Sequence, residues 1–286
     1  MTESFEIVHP AFRSVVSAEA EVVLVADGLD FTEGPVWYRG ALLFSDIPAD
    51  TIYRWTKDEG VAVWRQPSHH ANGNTTDREG RLLTCEHGSR RVTRTEADGT
   101  VTTLAATYLG RRLNSPNDIV VQSDGTIWFT DPPYGIKPEE KEQPAHYVFR
   151  LDPGAAEPVA MVDDFSRPNG LAFSPDEGVL YIADSDPNIR HIRRFDVSST
   201  HGLEGGEVFV TLDHGAPDGM RVDTEGRLYS TGGEGVYVFD ADGVHLGTIR
   251  TPKPAANCAF GREGMRTLFI TARDAVWAVE LAVVGR

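Results

Sequence analysis

The sequence predicts an all-β fold: a six-bladed β-propeller with four-stranded blades, its ring closed by an N-terminal strand in the last blade. One motif recurs six times, as EGPVWYRGALLFSDI from Glu33, NGNTTDREGRLLTCEH from Asn72, NDIVVQSDGTIWFTD from Asn117, NGLAFSPDEGVLYIADS from Asn169, DGMRVDTEGRLYSTGG from Asp218 and NCAFGREGMRTLFITAR from Asn257. The copies start 39 to 52 residues apart, near the period of a four-stranded blade and far from that of a helical solenoid. Helical periodicity is almost absent, and the 28 Gly and 17 Pro fall at turn positions such as ADG, SDG, PDEG and TEG.

Each copy reads as strand, turn, strand. The residues between copies supply two further strands, as TIYRW and VAVWRQ do after the first, which completes a blade. The last copy offers only three strands, NCAF, TLFIT and AVWAVEL, while EVVLVADGL precedes the first. Residues 21–26 are therefore expected to form the outer strand of the final blade, so that no seam is left open. Residues 1–20 are weakly patterned and read as a peripheral segment packed across the propeller. The whole of 1–286 is one domain on this reading, although length alone would suggest about two.

Asp and Glu total 43 against 27 Lys and Arg, a net charge of −16. Such a surface repels phosphate backbones and anionic lipid heads, which argues against nucleic acid and membrane as partners. No window is long and apolar enough to span a bilayer, so a soluble protein is expected. Cys85 and Cys258 fall in different blades without metal-ligand spacing and read as buried free thiols. With no basic, apolar export segment at the N-terminus, they point to a reducing cytoplasm.

The start of each copy carries the chemistry. In a propeller the innermost strands converge on the axis, and here the repeated position is Glu33, Asn72, Asn117, Asn169, Asp218 and Asn257. These residue types are depleted in strands. Turn chemistry accounts for an Asn or Asp before Gly, as at Asn72, Asn169 and Asp218, but leaves Glu33 and the mixture of acids with amides unexplained. A hard divalent cation held by carboxylate and amide oxygens fits both composition and convergence. Without His or Cys at the repeated position, a closed zinc site is disfavoured. Asn72 and Asn257 are candidates for hydrogen bonds to substrate, with structural capping as the alternative for both. The Pro-rich loop 132–146 is either a binding loop that brings Tyr134 to the pocket or a solvated excursion. His69 and His70 read as solvent-facing, Asp131 and Asp184 as turn or cap acids, and GGEG at 232–235 as a blade turn. No G-x-S-x-G elbow motivates a serine triad.

FTEGPVW, LNSPNDIVV with IWFTDPPYG, RPNGLAFSPDE with LYIADS, and PDGMRVD with GRLYSTGG, in this order, resemble the blade motifs of the SMP-30/gluconolactonase/luciferin-regenerating-enzyme family. The resemblance runs from about residue 30 to the C-terminus. It implies a propeller that binds a divalent metal in its channel and hydrolyses a sugar lactone, with Glu33, Asn169 and Asp218 as direct ligands, Asn117 at the metal or substrate, and Asp218 as general base. In the animal branch a basic residue stands two positions before the Asn that Asn117 matches. Here that position is Ser115, so the chain resembles the bacterial gluconolactonase branch, and Arg111 and Arg112 find no place by this comparison.

The expected function is thus a metal-dependent lactonase acting on a small lactone, most naturally an aldonolactone, through a polarised carbonyl and an activated water. Its cation is expected to be calcium, with magnesium, manganese or zinc also suited to an oxygen site. Two other functions fit the same fold: phosphotriester or fluorophosphate hydrolysis in the same metal cup, and a non-catalytic ligand-binding propeller with a structural cation. A binding propeller has no need of two carboxylates at its axis.

Overall fold

A computed structural model describes residues 4–286. Six four-stranded antiparallel units follow one another around an axis, each with its first strand innermost. Blade 1 comprises Thr32–Tyr38, Ala41–Asp46, Thr51–Thr56 and Gly60–Arg65; blade 2 comprises Ala71–Thr76, Leu82–Glu86, Arg91–Thr95 and Val101–Ala105. Blade 3 begins at Ile119–Val121, blade 4 at Pro168–Phe173, blade 5 at Met220–Val222 and blade 6 at Asn257–Gly261. The last blade has three strands of its own, and Val23–Ala26 completes it by pairing with Ala275–Glu280. The expected N-terminal closure is therefore observed. Phe5–Ile7 adds a fifth strand to the edge of blade 5, and the Phe12 side chain behind it is fully buried between blades 5 and 6.

Burial explains why the second strand of each blade reads as a near-continuous apolar run. Ala41–Asp46 and Thr267–Ala272 are buried along their whole length because a neighbouring blade packs on each face. Outer strands such as Gly60–Arg65 face solvent on one side. Trp128, the largest fully buried side chain, keeps its indole N–H satisfied by donating to Gln122 Oε1 at 2.7 Å. Cys85 and Cys258 are both free and buried.

Two repeated devices aim the inner strands at the axis. An acid ending the second strand accepts backbone N–H groups from the segment entering its own blade. Asp46 takes those of Asp30 and Phe31, Asp131 those of Asn114 and Ser115, and Asp184 those of Ser166 and Arg167, all within 3.1 Å. Asp131 and Asp184 are thus cap acids. A hydroxyl in the second strand then ties the blade to the next one: Ser45 donates to the Asn72 carbonyl and Thr130 to the Asn169 carbonyl, each at 2.8 Å. The start of blade 4 is therefore held from both sides, by Asp184 of its own blade and Thr130 of the one before.

The glycines after the repeated polar positions have a different cause from the turn chemistry the sequence suggested. A Cβ at Gly170 would lie 2.1 Å from the Asp218 carbonyl oxygen, and one at Gly219 would lie 2.0 Å from the Asn257 side chain. Each of these glycines abuts the polar residue that opens the next blade. Bulges in the inner strands at Glu33/Val36, Ala71/Asn74 and Pro168/Leu171 complete the re-aiming of these side chains.

Candidate active site

The inner strands meet at a cavity of about 530 Å³. Among the sequence-predicted residues Glu33, Asn72, Asn117, Tyr134, Asn169 and Asp218 line it, and Asn257 does not. Asn257 lies just beneath, where its Oδ1 accepts the Cys258 N–H at 2.8 Å and its Nδ2 donates to Glu33 Oε2 at 3.0 Å. Gly34 N–H donates to the same oxygen at 2.7 Å, which leaves Glu33 Oε1 free for the cavity. Asn257 thus spends its amide on hydrogen bonds within the fold and does not reach the cavity wall.

The two acids share a dry environment. Burial pushes the Glu33 carboxyl up to about 7, partly countered by the Gly34 N–H and reinforced by repulsion from Asp118. Asp218 is likewise raised well above the carboxylate range, by burial first and then by Glu33 and Asp118. Its Oδ1 is buried and has no hydrogen-bond partner, and Asn72 Oδ1 is in the same condition. No cluster of three His, Cys, Asp or Glu side chains gathers among the described residues, so any cation here takes amide oxygens alongside the two carboxylates. An acid pair with unpartnered oxygen, ringed by amides, suits a hard divalent ion.

Four lining residues were not legible as site residues. His87, at the end of the second strand of blade 2, is held neutral because burial drives its pKa down to about 4. Its Nε2 therefore accepts from Asn72 Nδ2 at 3.3 Å, which orients that amide and leaves Asn72 Oδ1 free. Ser185, Arg167 and Arg273 complete the wall from blades 4 and 6. Asp118, next to Asn117, is a third buried acid below the floor, opposed by the Arg221 guanidinium. The only sequence signal for these residues is their place next to the repeated motif.

The loop 132–146 brings Tyr134 to the cavity wall. Ser115 Oγ accepts the Gly135 N–H at 2.7 Å, so the residue standing where the animal branch has a basic side chain pins this loop. Arg111 and Arg112 also hold it, through Glu142, and do not line the cavity. His69 and His70 are exposed, as expected. A cleft of about 560 Å³ between blades 5 and 6 is lined by Glu234, Arg250 and Trp277 among others, and gathers no comparable set of convergent polar groups.

This fold and cavity define a six-bladed propeller with an oxygen-rich polar site at the axis. Residues 31–274 match the SMP-30/Gluconolactonase/LRE-like region, and the chain belongs to that family. A gluconolactonase of Zymomonas mobilis is 33% identical over 96% of this chain and 85% of its own. The solved gluconolactonase of Xanthomonas campestris is 39% identical, with a TM-score of 0.91 over 97% of this chain and 94% of that one. A pentonolactonase of Haloferax volcanii is 28% identical over 84% of this chain and 80% of its own. The chain is a lactonase, and its substrate is a small-molecule lactone. These relatives lend no support to phosphotriester hydrolysis or to a non-catalytic role.

Proposed function

We propose that this lactonase is metal-dependent, acts on an aldonolactone and works in the cytoplasm, in keeping with its two buried free thiols. The observation that carries the metal is Asp218 Oδ1, buried without a partner in a cavity shared with a second acid, Glu33. Glu33, Asn117, Asn169 and Asp218 would hold the cation, and the all-oxygen set suits calcium best, with magnesium, manganese and zinc as alternatives. When bound, such an ion supplies Lewis acidity at the carbonyl and lowers the pKa of water.

The chain's own groups then account for the rest. Asp218 accepts a proton from the attacking water as the water oxygen bonds to the lactone carbonyl carbon. The ring C–O bond breaks next, its oxygen leaves with a proton returned by Asp218, and the product is a hydroxy acid. Tyr134, raised to about 12 by burial, keeps its phenolic proton at neutral pH and serves as a donor to a sugar hydroxyl. Asn72, oriented by His87, and Asn117 offer amide oxygens and N–H groups to the same hydroxyls. Asn257 acts indirectly, by fixing Glu33.

The test is proton release from glucono-1,5-lactone by chelator-stripped protein, with calcium, magnesium, manganese or zinc restored singly and spontaneous opening subtracted. Turnover that needs a metal supports the reading. Full turnover after stripping, or none with any metal over a panel of aldonolactones, would overturn it.

A further inference from the structure

The cavity's charges do not cancel once the acids are accounted for. Its wall carries two acids, Glu33 and Asp218, and two guanidiniums, Arg167 and Arg273. Asp118 and Arg221 oppose one another below the floor. A divalent cation would satisfy the two acids, as proposed above. Both guanidiniums then face the cavity without a further acid on its wall, although Arg167 also attracts the Asp186 carboxylate outside it.

Their local setting differs from that of the paired arginines. About half of the arginines of this acidic protein pair with a carboxylate, such as Arg81 with Asp77 and Arg227 with Asp223. Neither Arg167 nor Arg273 enters an ion pair among the described residues, and both are exposed. Each rests on an aromatic face at the cavity wall instead: the Arg167 guanidinium lies 6.0 Å from the Tyr134 ring centre and that of Arg273 lies 5.4 Å from Phe31. Such stacking fixes the plane of a guanidinium while leaving its N–H edge free for a ligand. Arg167 enters blade 4 and Arg273 turns within blade 6, so the pair flanks blade 5, which carries Asp218.

A net charge of −16 repels anions at long range, so two free guanidiniums at one cavity mark a place where an anion is to be held. We propose that the substrate is a sugar lactone that carries an anionic group, a carboxylate or a phosphate, which Arg167 and Arg273 bind while the lactone carbonyl lies toward Asp218. This rests on the lactonase reading and narrows its substrate class. A neutral aldonolactone offers these residues only uncharged oxygen acceptors before the ring opens, whereas a terminal carboxylate or phosphate engages the guanidinium edge in charge-assisted hydrogen bonds, which are roughly twice as strong.

Matched substrates test this. D-glucaro-1,4-lactone and D-glucono-1,4-lactone share a ring and differ in a carboxylate against a hydroxymethyl group; 6-phosphoglucono-1,5-lactone and glucono-1,5-lactone differ by a phosphate. The metal-loaded protein is expected to favour the anionic member of at least one pair by roughly ten- to hundredfold in kcat/KM. Which pair shows the preference identifies carboxylate or phosphate. In Arg167→Met and Arg273→Met the ratio within that pair should collapse toward one, while Arg167→Lys should keep part of it. Equal kcat/KM within both pairs in the unaltered protein overturns the inference and leaves the lactonase reading in place. Equal losses on both members in the variants also overturn it, because they would place the arginines on charge that develops during ring opening. If all four lactones fail with every metal, the inference falls together with the aldonolactone reading.

Discussion

Asn257 of the last blade donates its amide to Glu33 of the first across 3.0 Å, so the cavity acid is held from the opposite end of the chain. The bond fixes Glu33 Oε2 and leaves Oε1 for a ligand. Removal of a residue that orients a metal ligand weakens metal binding roughly 10- to 100-fold. Asn257→Ala is expected to raise the calcium Kd of the stripped protein by that factor, read by titration calorimetry. An unchanged Kd would show that Glu33 needs no such support.

Asp218→Asn keeps the size of the side chain and removes its charge and basicity. Turnover of glucono-1,5-lactone should fall by roughly 10²–10⁴-fold, the span of general-base catalysis. The metal-free variant should also melt higher than the parent near neutral pH, because a buried, unpartnered carboxylate has been replaced by a neutral amide. A variant with parental turnover would remove Asp218 from the proton-transfer role.

The acids also set a pH dependence for the stripped protein. Glu33 and Asp131 are both raised to about 7, chiefly by burial, from 4.5 and 3.8. Across that window the folded state holds more protons than the unfolded state, so stability is full below the unfolded values and is lost as pH rises through the folded ones. Each such group contributes a slope of up to about 1.4 kcal/mol per pH unit. Buried His87, lowered from 6.5 to about 4, acts in the opposite sense below about pH 6.5, so the comparison is made above it: chelator-treated protein should have a lower Tm at pH 8 than at pH 6.5. Added calcium should narrow the gap by binding the ionised Glu33. A Tm that rises with pH under chelation would contradict this picture.

Gly170→Ala tests the packing between blades 4 and 5. Its new Cβ would sit 2.1 Å from the Asp218 carbonyl oxygen, so the inner strands would have to part. Overpacking of this kind costs about 1–3 kcal/mol, and here the displaced backbone carries Asp218. Chemical denaturation should show that loss, with a drop in turnover beyond what the unfolded fraction explains. Gly80→Ala, where nothing lies within 4 Å of the added Cβ, strains only the positive φ of a surface turn and supplies the comparison for the loss of turnover.

The repeat made the fold and half of the cavity legible before any coordinates. Glu33, Asn72, Asn117, Asn169 and Asp218 open successive inner strands, so one alignment of the copies placed all five at the axis. Asn257 aligned equally well and still fell beneath the cavity, because Gly219 packs against its side chain and Glu33 takes its amide. Periodicity fixes where a strand begins but not how deep its first side chain lies. His87, Arg167 and Arg273 come from strand ends and turns outside the repeated position, and each gains its role from a neighbour remote in sequence or from a loop. Ser115 shows the same limit: its hydroxyl matters because the loop 132–146 folds back onto it.

Closure of the ring by Val23–Ala26 has a consequence for how the molecule is made. That strand leaves the ribosome ahead of all six blades and must wait for Ala275–Glu280, the third strand of the sixth, before it can pair. Contacts of such long sequence separation form late in folding. During synthesis the first five blades can assemble in order, yet Glu33 lacks its Asn257 donor until the sixth is complete. Lactonase competence should therefore arrive in a single step once the sixth blade is complete, and a nascent chain that stalls within that blade should be inactive however much of the propeller it has built.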